Sequence, residues 1–199
     1  MSCDIVLIGV GGQGVLTIAD LLIRSAFEAG LPASYCPTKG MAQRGGFVKA
    51  EIRLGVEGVG PRIGEGQADL VVSLERSEGL KGIEFLKPTG TFVLFDHVWA
   101  PTGVMLGGDE YPSRDEVIGC LEEAAERVIV LDPEHLPSID GKLARPNLFV
   151  LGAMVGRTAL SEMVSVERME ETIAARWPKV AEANLETFRA GVAAGAGSD

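Results

Sequence analysis

Two glycine-rich segments carry the residue types best suited to hold an anion. Gly9-Val10-Gly11-Gly12-Gln13-Gly14 fits the pattern GxGxxG. It lies between an apolar run, Asp4 to Gly9, and a helically spaced segment, Val15 to Ala29. In that setting Gly9 allows a tight turn, Gly11 lets a ligand approach the backbone, and Gly14 lets the helix sit close to the sheet. The helix start behind Gly12 and Gln13 offers unpaired N–H groups and a partial positive charge. A dinucleotide site needs one more part, an acid at the end of the second strand to bind the ribose. That strand ends Tyr35-Cys36-Pro37-Thr38-Lys39, with neither Asp nor Glu. Three readings stay open: a dinucleotide site lacking half its fingerprint, a site for the phosphate of another ligand, and a turn that only packs helix on sheet.

The second segment is Gly40-Met41-Ala42-Gln43-Arg44-Gly45-Gly46. Arg44 supplies a fixed cation with a forked set of donors for carboxylate or phosphate. Gly45 and Gly46 admit backbone angles closed to other residues. Following the second strand, this loop can reach the first at the carboxyl edge of the sheet, where open α/β sheets bind ligands. A surface arginine beside a flexible turn is the alternative. Glu75, Asp96 and Asp132 each end an expected strand and so can face the same crevice or cap the next turn. His97 and His135 show no metal-ligand spacing, and Cys3, Cys36 and Cys120 form no CxxC pair, so no metal or cluster site is expected on this chain. Cys120 is expected in the core.

The elements that position these residues follow from hydrophobic period. Asp4 to Gly9 reads as a short buried strand, apolar throughout, and Asp69 to Leu74, Thr91 to Phe95 and Arg127 to Leu131 read as three further apolar strands. Phe47 to Leu54 alternates: Val48, Ala50, Ile52 and Leu54 face one way, Lys49, Glu51 and Arg53 the other. This predicts a strand with one wet face, antiparallel or at an edge. A short helix is expected over Ser77 to Leu86. Another opens at Ser113, where Glu116 completes a capping box. A helix apolar on nearly all sides spans Asn147 to Ala159, and two amphipathic helices follow. Strands alternating with helices predict a single α/β, Rossmann-like domain over residues 1–199, mostly parallel, with flanking helices and a helical C-terminus from about 147.

Lys and Arg number 18 against 28 Asp and Glu, a net charge of −10. That balance repels phosphate backbones and argues against nucleic acid as a partner, though not against one local basic site. The first apolar run is too short for a signal peptide, and no stretch reaches the length of a bilayer span. Scattered free thiols suit the cytoplasm.

The two loops together carry a resemblance. Gly9-Val10-Gly11-Gly12-Gln13-Gly14-Val15-Leu16, followed by Gly40-Met41-Ala42-Gln43-Arg44-Gly45-Gly46, resembles the gamma-type subunits of 2-oxoacid:ferredoxin oxidoreductases, and most of all the beta subunit of the indolepyruvate enzymes. Ala68-Asp69-Leu70, Ser73-Leu74-Glu75 and Asn184-Leu185-Glu186-Thr187-Phe188 extend it from about Asp4 to Gly191. The resemblance implies a multi-subunit enzyme that oxidatively decarboxylates a 2-oxoacid, here an arylpyruvate such as indolepyruvate, to an acyl-coenzyme A and reduces ferredoxin. Thiamine diphosphate and iron–sulfur clusters would sit mainly on larger partner subunits, leaving this chain inactive alone and without catalytic residues. Its expected ligand residues, for coenzyme A or another anion, are Gly9, Gly11, Gly12, Gln13, Gly14, Arg44, Gly45, Gly46 and Glu75. A stand-alone NAD(P)-dependent oxidoreductase and a purely structural subunit remain the alternatives.

Overall fold

The computed structural model describes residues 1–39, 46–100, 104 and 110–194. Six strands form the central sheet: β1 (Cys3–Val10), β2 (Ala33–Lys39), β3 (Phe47–Leu54), β4 (Ala68–Ser73), β5 (Leu86–Phe95) and β6 (Arg127–Leu131). Their order is β2-β3-β1-β4-β5-β6. Strands β1, β4, β5 and β6 run parallel, as their apolar sequences require. In β1, Ile5 and Leu7 enter one core while Val6 and Ile8 enter the other. Burial on both faces is why this strand shows no alternation.

The larger core lies under α1 (Val15–Glu28), α4 (Pro146–Arg157), α5 (Val166–Arg176) and α6 (Ala181–Ala193). The smaller core is covered by α2 (Arg76–Gly79), the 3-10 turns Leu80–Phe85 that continue it, and α3 (Arg114–Ala124). The short helix expected over Ser77 to Leu86 is thus one α-turn followed by 3-10 turns. Strand β5 then begins earlier than expected and contains Pro88. The β4–β5 ladder jumps from Ala68↔Leu86 to Leu70↔Thr91. Pro88 falls in that bulge, where its missing N–H costs no ladder bond. The capping box at Ser113 is present, with both Ser113 Oγ and the Glu116 carboxylate engaged.

Strand β3 departs from its reading in an instructive way. It is antiparallel, pairing Val10↔Phe47 to Cys3↔Leu54 with β1, but it is internal, because β2 covers its other side. Its polar face is not wet. The Lys49, Glu51 and Arg53 side chains are only 12%, 1% and 20% exposed. Lys49 Nζ lies 2.8 Å from Glu51 Oε1 and over the Phe85 ring. Arg53 grips Asp4 through two hydrogen bonds of 2.9 and 2.7 Å. Alternation of charge with apolar residues marks two chemically distinct faces, and here the charged one is neutralised pair by pair beneath the residues that follow β3.

Cys120 is also a correction. It is exposed; α3 packs through Val117 and Leu121, and one residue of a helix turns about 100° away from its neighbour. Cys3 is buried, and desolvation, with Asp69 and Asp4 nearby, pushes its thiol up to about 12. The thiolate is the reactive species. The native isolated chain at pH 8 is therefore expected to lose Cys120 quickly to a disulfide reagent and to keep Cys3 until denatured. Peptide mapping of the labelled protein checks this, and early labelling of Cys3 would contradict it.

Helices α4 and α6 are held by close backbone approach. A Cβ at Gly191 would lie 1.9 Å from Phe149 O, and one at Gly152 2.0 Å from Phe188 O. Only glycine lets α4 and α6 meet at that distance.

Candidate functional site

The first glycine loop closes the carboxyl end of β1, but its glycines divide the work differently from the expectation. The turn angles fall on Gly12 (φ 109°) and Gly14 (φ 90°). Gly9 instead leaves room for Gln13, since a Cβ there would stand 2.8 Å from Gln13 Oε1 and 3.2 Å from Leu74 Cβ. The Gln13 side chain folds back over it. Its Oε1 accepts from the Val10 N–H at 2.7 Å and its Nε2 donates to Leu74 O at 2.7 Å. Gln13 thus fixes the loop to the end of β4. Gly11 N–H donates to Gly46 O at 2.8 Å, which brings the end of the second glycine segment against the first. Arg44 and Gly45 lie outside the described residues.

Gly14 does not serve helix-on-sheet packing. It is the N-cap of α1, and a Cβ there would lie 2.6 Å from Asn147 Nδ2. Asn147 stands in the first turn of α4, behind Arg145 at its N-cap and Pro146. Two helix N-termini therefore abut. Neither has a side-chain cap and neither has an acid in its first turn. The first turns of α3, α5 and α6 contain Asp115 and Glu116, Glu167, and Glu182 respectively. The positive ends of α1 and α4 are the ones left without a carboxylate to oppose them.

Between them opens a cleft of about 490 Å³. Gly12, Gly14 and Thr17 form one wall and Arg145 and Asn147 the other. His97 and Trp99, just beyond β5, close the third side. Among the described residues no carboxylate lines it. Arg145 forms no ion pair among the described residues. Asn147 is 7% exposed, yet its buried Oδ1 has no hydrogen-bond partner. The buried Nδ1 of His97 is likewise unpartnered, with its ring stacked on Phe95. Buried polar atoms without partners are uncommon. Here they sit at the edge of a cleft suited to an anion with further hydrogen-bonding groups.

Arg145, Asn147, Thr17 and Trp99 match no motif in the sequence, and the spacing of His97 bears only on metal binding. Arg145-Pro146-Asn147 does carry a signal, because proline at the first position of an apolar helix marks an N-terminus. Nothing local says that this N-terminus meets the glycine loop, some 130 residues earlier.

The acids at the strand ends are occupied. Glu75, fully buried, accepts from the Glu78 N–H at 2.8 Å, Ser77 Oγ at 2.7 Å, the Trp99 N–H at 3.1 Å and the Tyr111 hydroxyl. Burial, and then the bond to Glu75, push the Tyr111 hydroxyl well above the ordinary phenol range. Asp96 accepts from Arg76 at 2.5 Å and Arg114 at 2.7 Å. Asp132 caps the next turn through the Glu134 N–H at 2.8 Å. A carboxylate that already holds four donors offers little to a ligand, and Glu75 lies behind the cleft wall instead of in it.

The sheet order also bears on the dinucleotide reading. With β3 inserted between β1 and β2, the end of β2 lies two strand spacings, roughly 10 Å, from the glycine loop. A ribose acid there would be one spacing further away than in a fold where β2 adjoins β1.

The model of the pyruvate ferredoxin/flavodoxin oxidoreductase family matches residues 4–194. The chain belongs to this family. The indolepyruvate oxidoreductase subunit IorB of Archaeoglobus fulgidus is 34% identical over 192 residues, covering 96% of this chain and 94% of that one. The pyruvate oxidoreductase subunit PORC of Thermotoga maritima shares the fold, with a TM-score of 0.70 at 22% identity, over 97% of this chain and 96% of that one. The 2-oxoglutarate:ferredoxin oxidoreductase of Magnetococcus marinus, solved with 2-oxoglutarate, coenzyme A and succinyl-CoA bound, shares it at a TM-score of 0.68 and 20% identity. This chain covers 30% of that longer polypeptide. Within the pyruvate ferredoxin/flavodoxin oxidoreductase family the chain is a gamma-type oxidoreductase subunit, as the paired glycine segments imply. Among the described residues no helix is long and apolar enough to cross a membrane.

Proposed function

We propose that this chain is the subunit of a cytoplasmic arylpyruvate:ferredoxin oxidoreductase, acting most readily on indolepyruvate, and that its cleft holds the phosphate-bearing end of coenzyme A. The observation that carries the second part is the abutment of two uncapped helix N-termini beside Arg145, in a cleft that no carboxylate of the described residues lines. Phosphate oxygens there would receive the first-turn N–H groups of α1 and α4 and the forked donors of Arg145. Thr17 adds a hydroxyl, and the half-exposed Trp99 offers a flat apolar surface to the rest of the molecule. Gly9, Gln13 and Gly46 support the loop that shapes this wall, and Arg44 and Gly45 are proposed as further anion contacts.

A larger partner subunit would bring thiamine diphosphate, which supplies the decarboxylation chemistry when bound, and iron–sulfur clusters that lead to ferredoxin. This chain's task is to anchor the coenzyme by its charged end and so present its thiol to the partner. The relatives named for indolepyruvate, and this chain's match to them over nearly its whole length, support the substrate class.

The test is an anaerobic assay of the assembled enzyme, following coenzyme A-dependent reduction of ferredoxin. Indolepyruvate and phenylpyruvate are expected to exceed pyruvate in kcat/KM by at least about tenfold, a difference of roughly 1.4 kcal/mol in transition-state binding. Leaving this chain out is expected to abolish acyl-CoA formation. A preference for pyruvate would overturn the substrate, and full activity without the chain would overturn the subunit role.

A further inference from the structure

We propose that Glu75 is a positioning residue, which sets the place of Trp99 at the cleft by clamping the backbone of Trp99 and the hydroxyl of Tyr111 to the end of β4. The inference rests on the reading of the cleft as the coenzyme A site for its functional consequence. It rests on geometry alone for the clamp itself.

The two carboxylate oxygens of Glu75 do separate things. Oε2 takes the Glu78 N–H and Ser77 Oγ, which is all that capping α2 requires. Oε1 takes the Trp99 N–H and the Tyr111 hydroxyl, both from residues that follow β5 in the chain. Capping alone is met elsewhere in this chain by the hydroxyls of Ser113 and Ser165. A hydroxyl carries no desolvation cost of the size a buried carboxylate does. Full burial of an ionisable acid at this position is therefore accounted for by the second oxygen.

Neighbouring bonds act in the same direction. The Arg76 N–H donates to His97 O at 2.9 Å, and Arg76 itself is held by Asp96. Tyr111 also accepts from the Ser77 N–H at 3.2 Å. His97 and Trp99, which form the third side of the cleft, thus hang from the turn that Glu75 caps. Glu75 touches no ligand-facing space, so its effect must pass through Trp99.

Two variants test this. Glu75→Gln keeps the shape but offers one acceptor oxygen in place of two. Tyr111→Phe leaves the Glu78 and Ser77 Oγ bonds of the cap intact and removes one hydroxyl, which donates to Glu75 and accepts from the Ser77 N–H, so it folds even if the first variant does not. Each is made in a Trp177→Phe background, which leaves Trp99 as the sole tryptophan of the chain. Two quantities are read: Trp99 emission with acrylamide quenching, and the KM for coenzyme A in the assembled enzyme. Both variants are expected to shift Trp99 emission to the red and raise its quenching. KM for coenzyme A should rise about tenfold with kcat nearly unchanged, as for the loss of one hydrogen bond to a charged group.

Unchanged Trp99 emission and quenching in both variants would overturn the proposal. Altered Trp99 signals with an unchanged KM would uphold the clamp and overturn its role in binding coenzyme A.

Discussion

Arg145→Glu is expected to raise the KM for coenzyme A of the assembled enzyme by roughly a hundredfold while leaving kcat at saturation nearly intact. A charge-assisted hydrogen bond from arginine to phosphate contributes about 1.5–3 kcal/mol, which is roughly a tenfold to hundredfold change in binding. Reversing the charge adds repulsion from a carboxylate in a cleft that has none among the described residues, and so takes the effect to the upper end. The phosphates of the coenzyme are remote from its thiol. Their loss removes binding common to ground state and transition state, which appears in KM and not in kcat. Arg145→Lys is expected to fall between, because an ammonium keeps the charge and loses the forked geometry. The wild-type KM should rise with ionic strength, and the glutamate variant should weaken or reverse that dependence, since residue 145 is exposed and salt screens its attraction or repulsion alike. Steady-state kinetics at two salt concentrations reads all of this.

Gly191→Ala is expected to destabilise the chain strongly. The new Cβ would stand 1.9 Å from Phe149 O. That oxygen belongs to the backbone of α4 and has no rotamer to escape into, so the two helices must separate. Overpacking costs typically 1–3 kcal/mol, and a rigid backbone neighbour puts this case at about 3. For a chain of this size, that predicts a fall in Tm of roughly 6–12 °C. Gly119→Ala is the control. It lies on α3 with nothing within 4 Å of its Cβ, and it is expected to leave Tm unchanged or raise it slightly. Calorimetry of the three proteins checks both. The consequence reaches the cleft, because Phe149 lies two residues beyond Asn147 on α4. A displaced α4 carries Arg145 and Asn147 away from Gly14.

Strands β1, β4 and the second half of β5 were legible because burial on both faces writes itself as unbroken apolar runs. Phe47–Leu54 and Arg127–Leu131 fall where their patterns put them. Capping residues were legible too, as Ser113 with Glu116 shows. What pattern cannot express is what lies across from a residue. The charged side of β3 alternates as a solvated face would, yet Lys49 and Glu51 neutralise each other under cover. Cys120 keeps the helical spacing of a core residue and still misses the packed face. The candidate site divides in the same manner. The first glycine loop is a local feature and was found. Its partner, the N-terminus of α4, is assembled only by the α1–α4 contact and could not be seen from either segment alone. Glu75 stood out as an acid at a strand end, and only the four donors around it distinguish a clamp from a ligand.

The most direct measurement is a structure of the assembled enzyme with coenzyme A bound. Phosphate density between the Gly12–Gly14 turn and Arg145, within hydrogen-bonding distance of the first turns of α1 and α4, is the expected result. Coenzyme A bound in full elsewhere, with Arg145 and Asn147 facing only solvent or the partner subunit, would contradict it.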